Sequence, residues 1–125
     1  MTRAGRLGLD MLARQGVLYT LAADGRTAQP ARGAAWDEWY RTAERRVHQT
    51  RVGRVVLSTV FLGIDHTFGL GRLELWETTV FKPTGVEVAG RYATYDDAVR
   101  GHGQCVHAQV LATGAAPEEL YDDTQ

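Results

Sequence analysis

Residues 55–81 read VVLSTVFLGIDHTFGLGRLELWETTVF, and this stretch decides the fold. Val55, Leu57, Thr59 and Phe61 alternate with Val56, Ser58, Val60 and Leu62, the period of a strand whose two faces are both largely apolar. Such a strand belongs in the middle of a sheet, covered on both sides, and it ends at Gly63. A loop with Gly63, Gly69 and Gly71 follows. A second run then sets Leu73, Leu75, Glu77, Thr79 and Phe81 against Trp76, Thr78 and Val80. Two such runs joined through glycines predict an antiparallel pair. The G-x-G at 69–71 lacks a third glycine and precedes a strand instead of a helix. Dinucleotide and Walker-type phosphate loops are therefore excluded, and the glycines serve positive φ in a long connection.

The chain on either side extends this pair. Lys82-Pro83-Thr84-Gly85 is a turn, and residues 86–92 form a further strand with Gly90 at a bulge. Upstream, Val52-Gly53-Arg54 turns the chain out of a strand at 47–51. Residues 17–21 are a short strand, Asp24-Gly25 a turn, and 25–34 a loop. Trp36, Trp39, Tyr40, Ala43 and Val47 keep helical spacing, which predicts a helix over 35–47 with an aromatic core stripe. Its acids Asp37 and Glu38 fall in the first turn, and Arg45 and Arg46 in the last. Thr94 to Asp97 has the form of a capping box and opens a helix to about 111. Ala98, Val99, His102, Val106 and Val110 fall near one stripe of it, so His102 faces the sheet. Gly101 and Gly103 each weaken that helix by about 1 kcal/mol relative to alanine and permit a close approach. The expected fold is α+β: an antiparallel meander sheet of four or five strands with two helices packed on one face. Residues 1–14 read as a flexible N-terminal extension, 15–112 as a single domain and 113–125 as a disordered acidic tail. Met11 offers a second start for translation.

Composition narrows the function classes. The 125 residues suffice for one domain without a covalent staple. Cys105 is the only cysteine, so no internal disulfide forms. No apolar run of about 18 residues predicts a membrane span, and the start has no apolar core of a signal peptide, so the expected location is cytoplasmic. Lys82 is the single lysine against thirteen arginines, and Schiff-base chemistry would rest on it alone. Residues 1–54 hold ten arginines against five acids, whereas 55–125 hold four basic groups against ten acids. The basic half predicts either a solvated helix side or a nucleic-acid surface of Arg41, Arg45, Arg46, Arg51 and Arg54.

Three segments carry a resemblance. LSTVFLGIDHTFG at 57–69, LWETTVF at 75–81 and RYATYDDAVRGH at 91–102 resemble a family of small phage and prophage proteins of uncharacterised role. Its members carry VSTVxLGxDHxF, then (F/W)ETMVF, then RYxTxxEAxxGH. Asp24-Gly25, Glu38-Trp39, Arg46-Val47 and Gln49-Thr50 are also similar, so the likeness spans roughly residues 17–107. Trp76 stands where Phe also occurs and Thr79 where Met is usual. The resemblance implies a phage or prophage origin and no particular activity.

Asp65, His66, Glu77, Arg91 and His102 are the candidate site. His66 and His102 with Glu77 or Asp65 make a donor set for a metal, although no recognised metal spacing is present. The same residues fit a structural network in which Asp65 accepts loop N–H groups as an Asx turn and Glu77 pairs with Arg91 across strands. Cys105 lies inside a helix and Ser58 inside a strand, neither a setting for a nucleophile. The expected function is that of a non-enzymatic phage-type accessory protein without a cofactor. Its partner would be a phage or host protein, or a second copy of itself. Nucleic-acid binding and metal or small-ligand binding at Asp65, His66, Glu77 and His102 are the alternatives.

Overall fold

The computed structural model describes residues 16–120. In chain order it contains β1 (Tyr19–Leu21), β2 (Ala28–Pro30), α1 (Gly33–Thr42), β3 (Arg46–Val52), β4 (Val55–Phe61), β5 (Trp76–Lys82), β6 (Gly85–Tyr92), α2 (Tyr95–Thr113) and β7 (Pro117–Glu119). The fold is α+β. β1 and β2 make a two-stranded sheet, and the others an antiparallel sheet in the order β6-β5-β4-β3-β7. β3 to β6 are a meander, with tight turns at β3–β4 and β5–β6 and a long loop, residues 62–75, between β4 and β5. α2 crosses one face of all four and hands the chain to β7 on the far side of β3. No helix among the described residues is long and apolar enough to cross a membrane.

Four differences from the sequence reading have physical causes. The tail expected to be disordered pairs with β3 instead, with Thr50 opposite Glu119, Arg51 opposite Glu118 and Val52 opposite Pro117. Gly114 ends α2 in the left-handed conformation at φ 73°, which turns the chain back to the otherwise bare edge of β3. Residues 28–30, read as loop, are β2; Asp24 closes the hairpin by accepting from the Arg26 and Thr27 amides and the Thr27 hydroxyl. The first helix stops at Thr42, since Arg46 onward pairs with β4 and Arg45 folds over the Tyr40 ring 4.0 Å away. With its start moved back to Gly33, Asp37 and Glu38 no longer lie in its first turn. Finally, β4 is central but covered on one face alone: Val55, Leu57, Thr59 and Phe61 are buried, whereas Val56, Ser58 and Val60 are half-buried. The extension at 1–14, with Met11, and residues 121–125 lie outside the described residues.

The covered face holds two apolar clusters. Val52, Val55, Leu57 and Val80 meet Val106 and Val110 of α2. Phe61, Leu75, Trp76 and Ala98 meet Trp39, Tyr19 and Tyr92, with Trp39 edge-on to Phe61 at 5.8 Å. Burial of each such side chain stabilises by roughly 1.5–3 kcal/mol. Along each of the three inner strands a polar residue separates the two clusters: Thr50 on β3, Thr59 on β4 and Thr78 on β5, all buried.

Candidate functional site

α2 starts with the Thr94 hydroxyl accepting from the Asp97 amide, and Asp96 and Asp97 sit at its positive end. Ala98, Gly101 and His102 are its buried positions, one stripe at helical spacing. His102, 5% exposed, comes down onto the row of threonines. Its Nε2 lies 2.8 Å from Thr50 Oγ1 and its Nδ1 2.7 Å from Thr59 Oγ1. Thr59 bonds Thr78, the Tyr92 hydroxyl bonds Thr78, and Thr50 bonds Glu119. Each of the five strands of the large sheet contributes one residue to this belt.

Proton counting fixes the direction of every bond. The Glu119 carboxylate only accepts, so the single Thr50 proton goes to Glu119 Oε2 at 3.0 Å. His102 Nε2 must then carry the proton it shares with Thr50. Burial in the core, helped by His48 and opposed by Glu119, lowers the His102 pKa to about 4, so at neutral pH the ring carries one proton. Nδ1 is therefore an acceptor, and Thr59 donates to it. Thr78 in turn donates to Thr59, and Tyr92 to Thr78. All the donors point one way, from Tyr92 to Glu119, an arrangement in which successive bonds polarise one another.

At the acidic end, His48 Nδ1 lies 3.1 Å from Glu119 Oε1, and the His48 and His102 rings are 5.4 Å apart. Burial opposes the Glu119 charge, but the His48 and Thr50 hydrogen bonds and the two imidazoles hold its carboxyl below the usual range. A cleft of about 430 Å³ opens here between α2 and β7. At the other end, the Tyr92 ring fills the space left by Gly101 and Gly90; a Cβ on Gly101 would overlap it. Burial raises the pKa of Tyr92 and of neighbouring Cys105, which keeps that thiol protonated.

The structure scatters the predicted cluster. Asp65 and His66 lie in the β4–β5 loop, Asp65 buried and His66 exposed. Glu77 sits opposite Arg91 and accepts from its Nε at 3.0 Å, as the cross-strand reading has it. Its neighbour Thr78 faces α2, so Glu77 points to the uncovered face, away from His102. The set His66, Glu77 and His102 cannot close on one ion, and among the described residues no group of three His, Cys, Asp or Glu is arranged to hold a metal. Arg91 also edges a second cleft of about 390 Å³ with Arg72 and Arg100, where Glu74 and Asp97 offset the arginines.

The five arginines of the basic half do not form one free surface. Arg41 pairs with Asp37 at 3.0 Å, Arg51 with Glu118 at 2.7 Å and Arg46 with Glu44 at 3.6 Å. Arg45 stacks on Tyr40 and donates to the Phe61 carbonyl, and Arg54 stands in the β3–β4 turn. His48, Thr50, Thr59, Thr78, Tyr92 and Glu119 were missed as site residues. For Thr50, Thr59 and Thr78 the available signal was a polar residue on the buried face of an apolar strand row.

Asp65 organises the loop. Its carboxylate accepts from the Thr67, Gly69 and Glu74 amides at 3.0, 3.2 and 3.1 Å and from the Thr67 hydroxyl at 2.9 Å. Burial opposes its charge, but these donors outweigh it and hold the carboxyl below its ordinary value. The loop they fix displays Phe68 in the left-handed region at φ 52° and 51% exposed, and Leu70 at 92% exposed. Asp65→Asn keeps the shape but turns an N–H group toward amides that need an acceptor. It is expected to destabilise the protein by about 2 kcal/mol in urea unfolding at pH 7. With a folded pKa below the unfolded 3.8, the Asp65 contribution is present above the unfolded pKa and lost as pH falls through the folded one. The cost of the variant should therefore shrink in acid, and an equal cost at pH 7 and pH 2 would exclude this origin.

No protein-family model matches the chain, and no match to it is found among the curated proteins or the solved structures.

Proposed function

We propose that the protein is a phage-type accessory protein without catalysis of its own, which binds an apolar pocket of a phage or host protein through the Asp65 loop. The observation that carries this reading is the display of Phe68 and Leu70 on a pinned loop. Leu70 stands almost free in water, where it contributes little to folding, and Phe68 leaves half of its surface exposed beside it. A loop held by four hydrogen bonds has little conformational entropy left to lose on binding. Strained backbone at Phe68 is the kind of feature found where a surface has a task. Aromatic anchors of this type dominate binding energies when they enter a partner's pocket.

A photo-crosslinker at Leu70 in cells is expected to capture one partner, which is then purified and bound in solution. Phe68→Ser with Leu70→Ser should leave thermal stability unchanged and weaken that binding by about 2 kcal/mol or more, roughly thirtyfold in Kd. Unchanged affinity for a partner that crosslinks at Leu70 would sink the proposal.

A further inference from the structure

We infer that the cleft beside His48 and Glu119 is a binding site for an organic ammonium group carried on an apolar body. The cleft has the volume of a small-molecule site, about 430 Å³. Val99 and Val106 of α2 and Pro117 of β7 supply its apolar wall, and His48, Thr50, His102 and Glu119 its polar end. The direction of the hydrogen-bond belt decides what that end offers. The Thr50 proton is already directed to Glu119 Oε2, and the His102 Nε2 proton to Thr50. His48 Nδ1 directs its proton to Glu119 Oε1 at 3.1 Å. The polar end thus presents a negative carboxylate, and the protons of Thr50, His102 Nε2 and His48 Nδ1 are already engaged. A ligand that satisfies it must bring several N–H donors and a positive charge, and its remainder must be apolar. An anion meets the like charge of Glu119 instead of a counter-charge.

Glu119 stays charged through the physiological range because the donors around it hold its carboxyl low. The side chains of His48 and Glu119 are each 41% exposed, so a ligand reaches them without unfolding of the core. Gly103 lies on the cleft wall, and a Cβ there would meet no atom within 4 Å. A side chain at 103 would therefore project into the cleft itself, with α2 unaffected.

The test is an NMR titration of the full chain with phenethylamine, alongside 2-phenylethanol and 3-phenylpropionate as the neutral and anionic counterparts. The amine is expected to give saturable shifts centred on His48, Val106 and Glu119, with a Kd on the order of 1 mM for so small a ligand. The alcohol and the acid should give none there. Glu119→Gln should weaken the amine by about tenfold or more. Because that variant also loosens β7, Gly103→Leu provides a second arm: it should block the amine and leave thermal stability equal or higher. Absence of saturable shifts with the amine would overturn the inference. So would equal binding of the alcohol, or amine binding undiminished in Gly103→Leu.

Discussion

His102→Ala is expected to lower the unfolding free energy by about 3 kcal/mol, near the upper range for a single substitution. The change opens a cavity between the two apolar clusters and removes the acceptor for Thr59 and the donor to Thr50 at once. A buried hydroxyl left unpaired carries its full desolvation cost. His102→Gln retains an acceptor and a donor at similar positions and should recover much of the loss. The two variants separate in acid. The folded pKa of His102 is about 4, below the unfolded value of 6.5. Between those values the unfolded chain binds a proton that the folded protein refuses, so stability falls as pH is lowered from 6.5 toward 4. At about 1.4 kcal/mol per pH unit the wild type should lose roughly 3 kcal/mol across this window from His102 alone. His102→Gln should lose that slope between pH 6.5 and 5, above the range where the carboxylates dominate. Parallel curves for wild type and His102→Gln would refute the assignment of a neutral, belt-bound imidazole.

Gly101→Ala should reverse the sign that helix propensity predicts. In an open helix the change stabilises by about 1 kcal/mol. Here the added methyl overlaps Cε1, Cζ and the hydroxyl of Tyr92, so either α2 lifts from the sheet or the ring leaves its slot. Overpacking of this kind costs about 1–3 kcal/mol. Displacing Tyr92 also removes the first donor of the belt, which puts the net effect near 3 kcal/mol of destabilisation. The double substitution is the decisive measurement. In a Tyr92→Leu background the ring edge is gone, and Gly101→Ala should then be neutral or stabilising. A Gly101→Ala cost that persists in that background would place its origin elsewhere.

Much of this architecture is legible because it rests on short-range pattern. Alternation at 55–61 and at 76–81 marks the two central strands, and Thr94 with Asp97 marks the start of α2. The inward direction of His102 follows from the spacing of Ala98, His102 and Val106 alone. The Glu77–Arg91 pair was accessible because a four-residue turn fixes the register of β5 against β6. β7 was not legible, since Pro117-Glu118-Glu119 has no apolar period and pairs only because β3 offers it an edge. The belt was not legible as a site for a related reason. Thr50, Thr59 and Thr78 are ordinary strand residues singly, and Glu119 is 69 residues from Thr50. Their convergence is set by the pairing of strands distant in sequence. His66 misled for the opposite reason: it adjoins Asp65, whose buried carboxylate is fully used in holding the loop, while His66 itself faces water.

The row of hydroxyls has a consequence for how the chain avoids decoy alignments. Sliding β4 by one residue along β3 would turn its core residues to water, and the apolar pattern alone forbids that. Sliding it by two would keep Val, Leu and Phe facing α2, and hydrophobicity would scarcely notice. The belt would notice, because a two-step slip brings Leu57 or Phe61 beneath the His102 imidazole and strands two buried polar groups without partners. One histidine reaching down to a threonine on each of two strands thus rejects the misalignments that an oily core would tolerate.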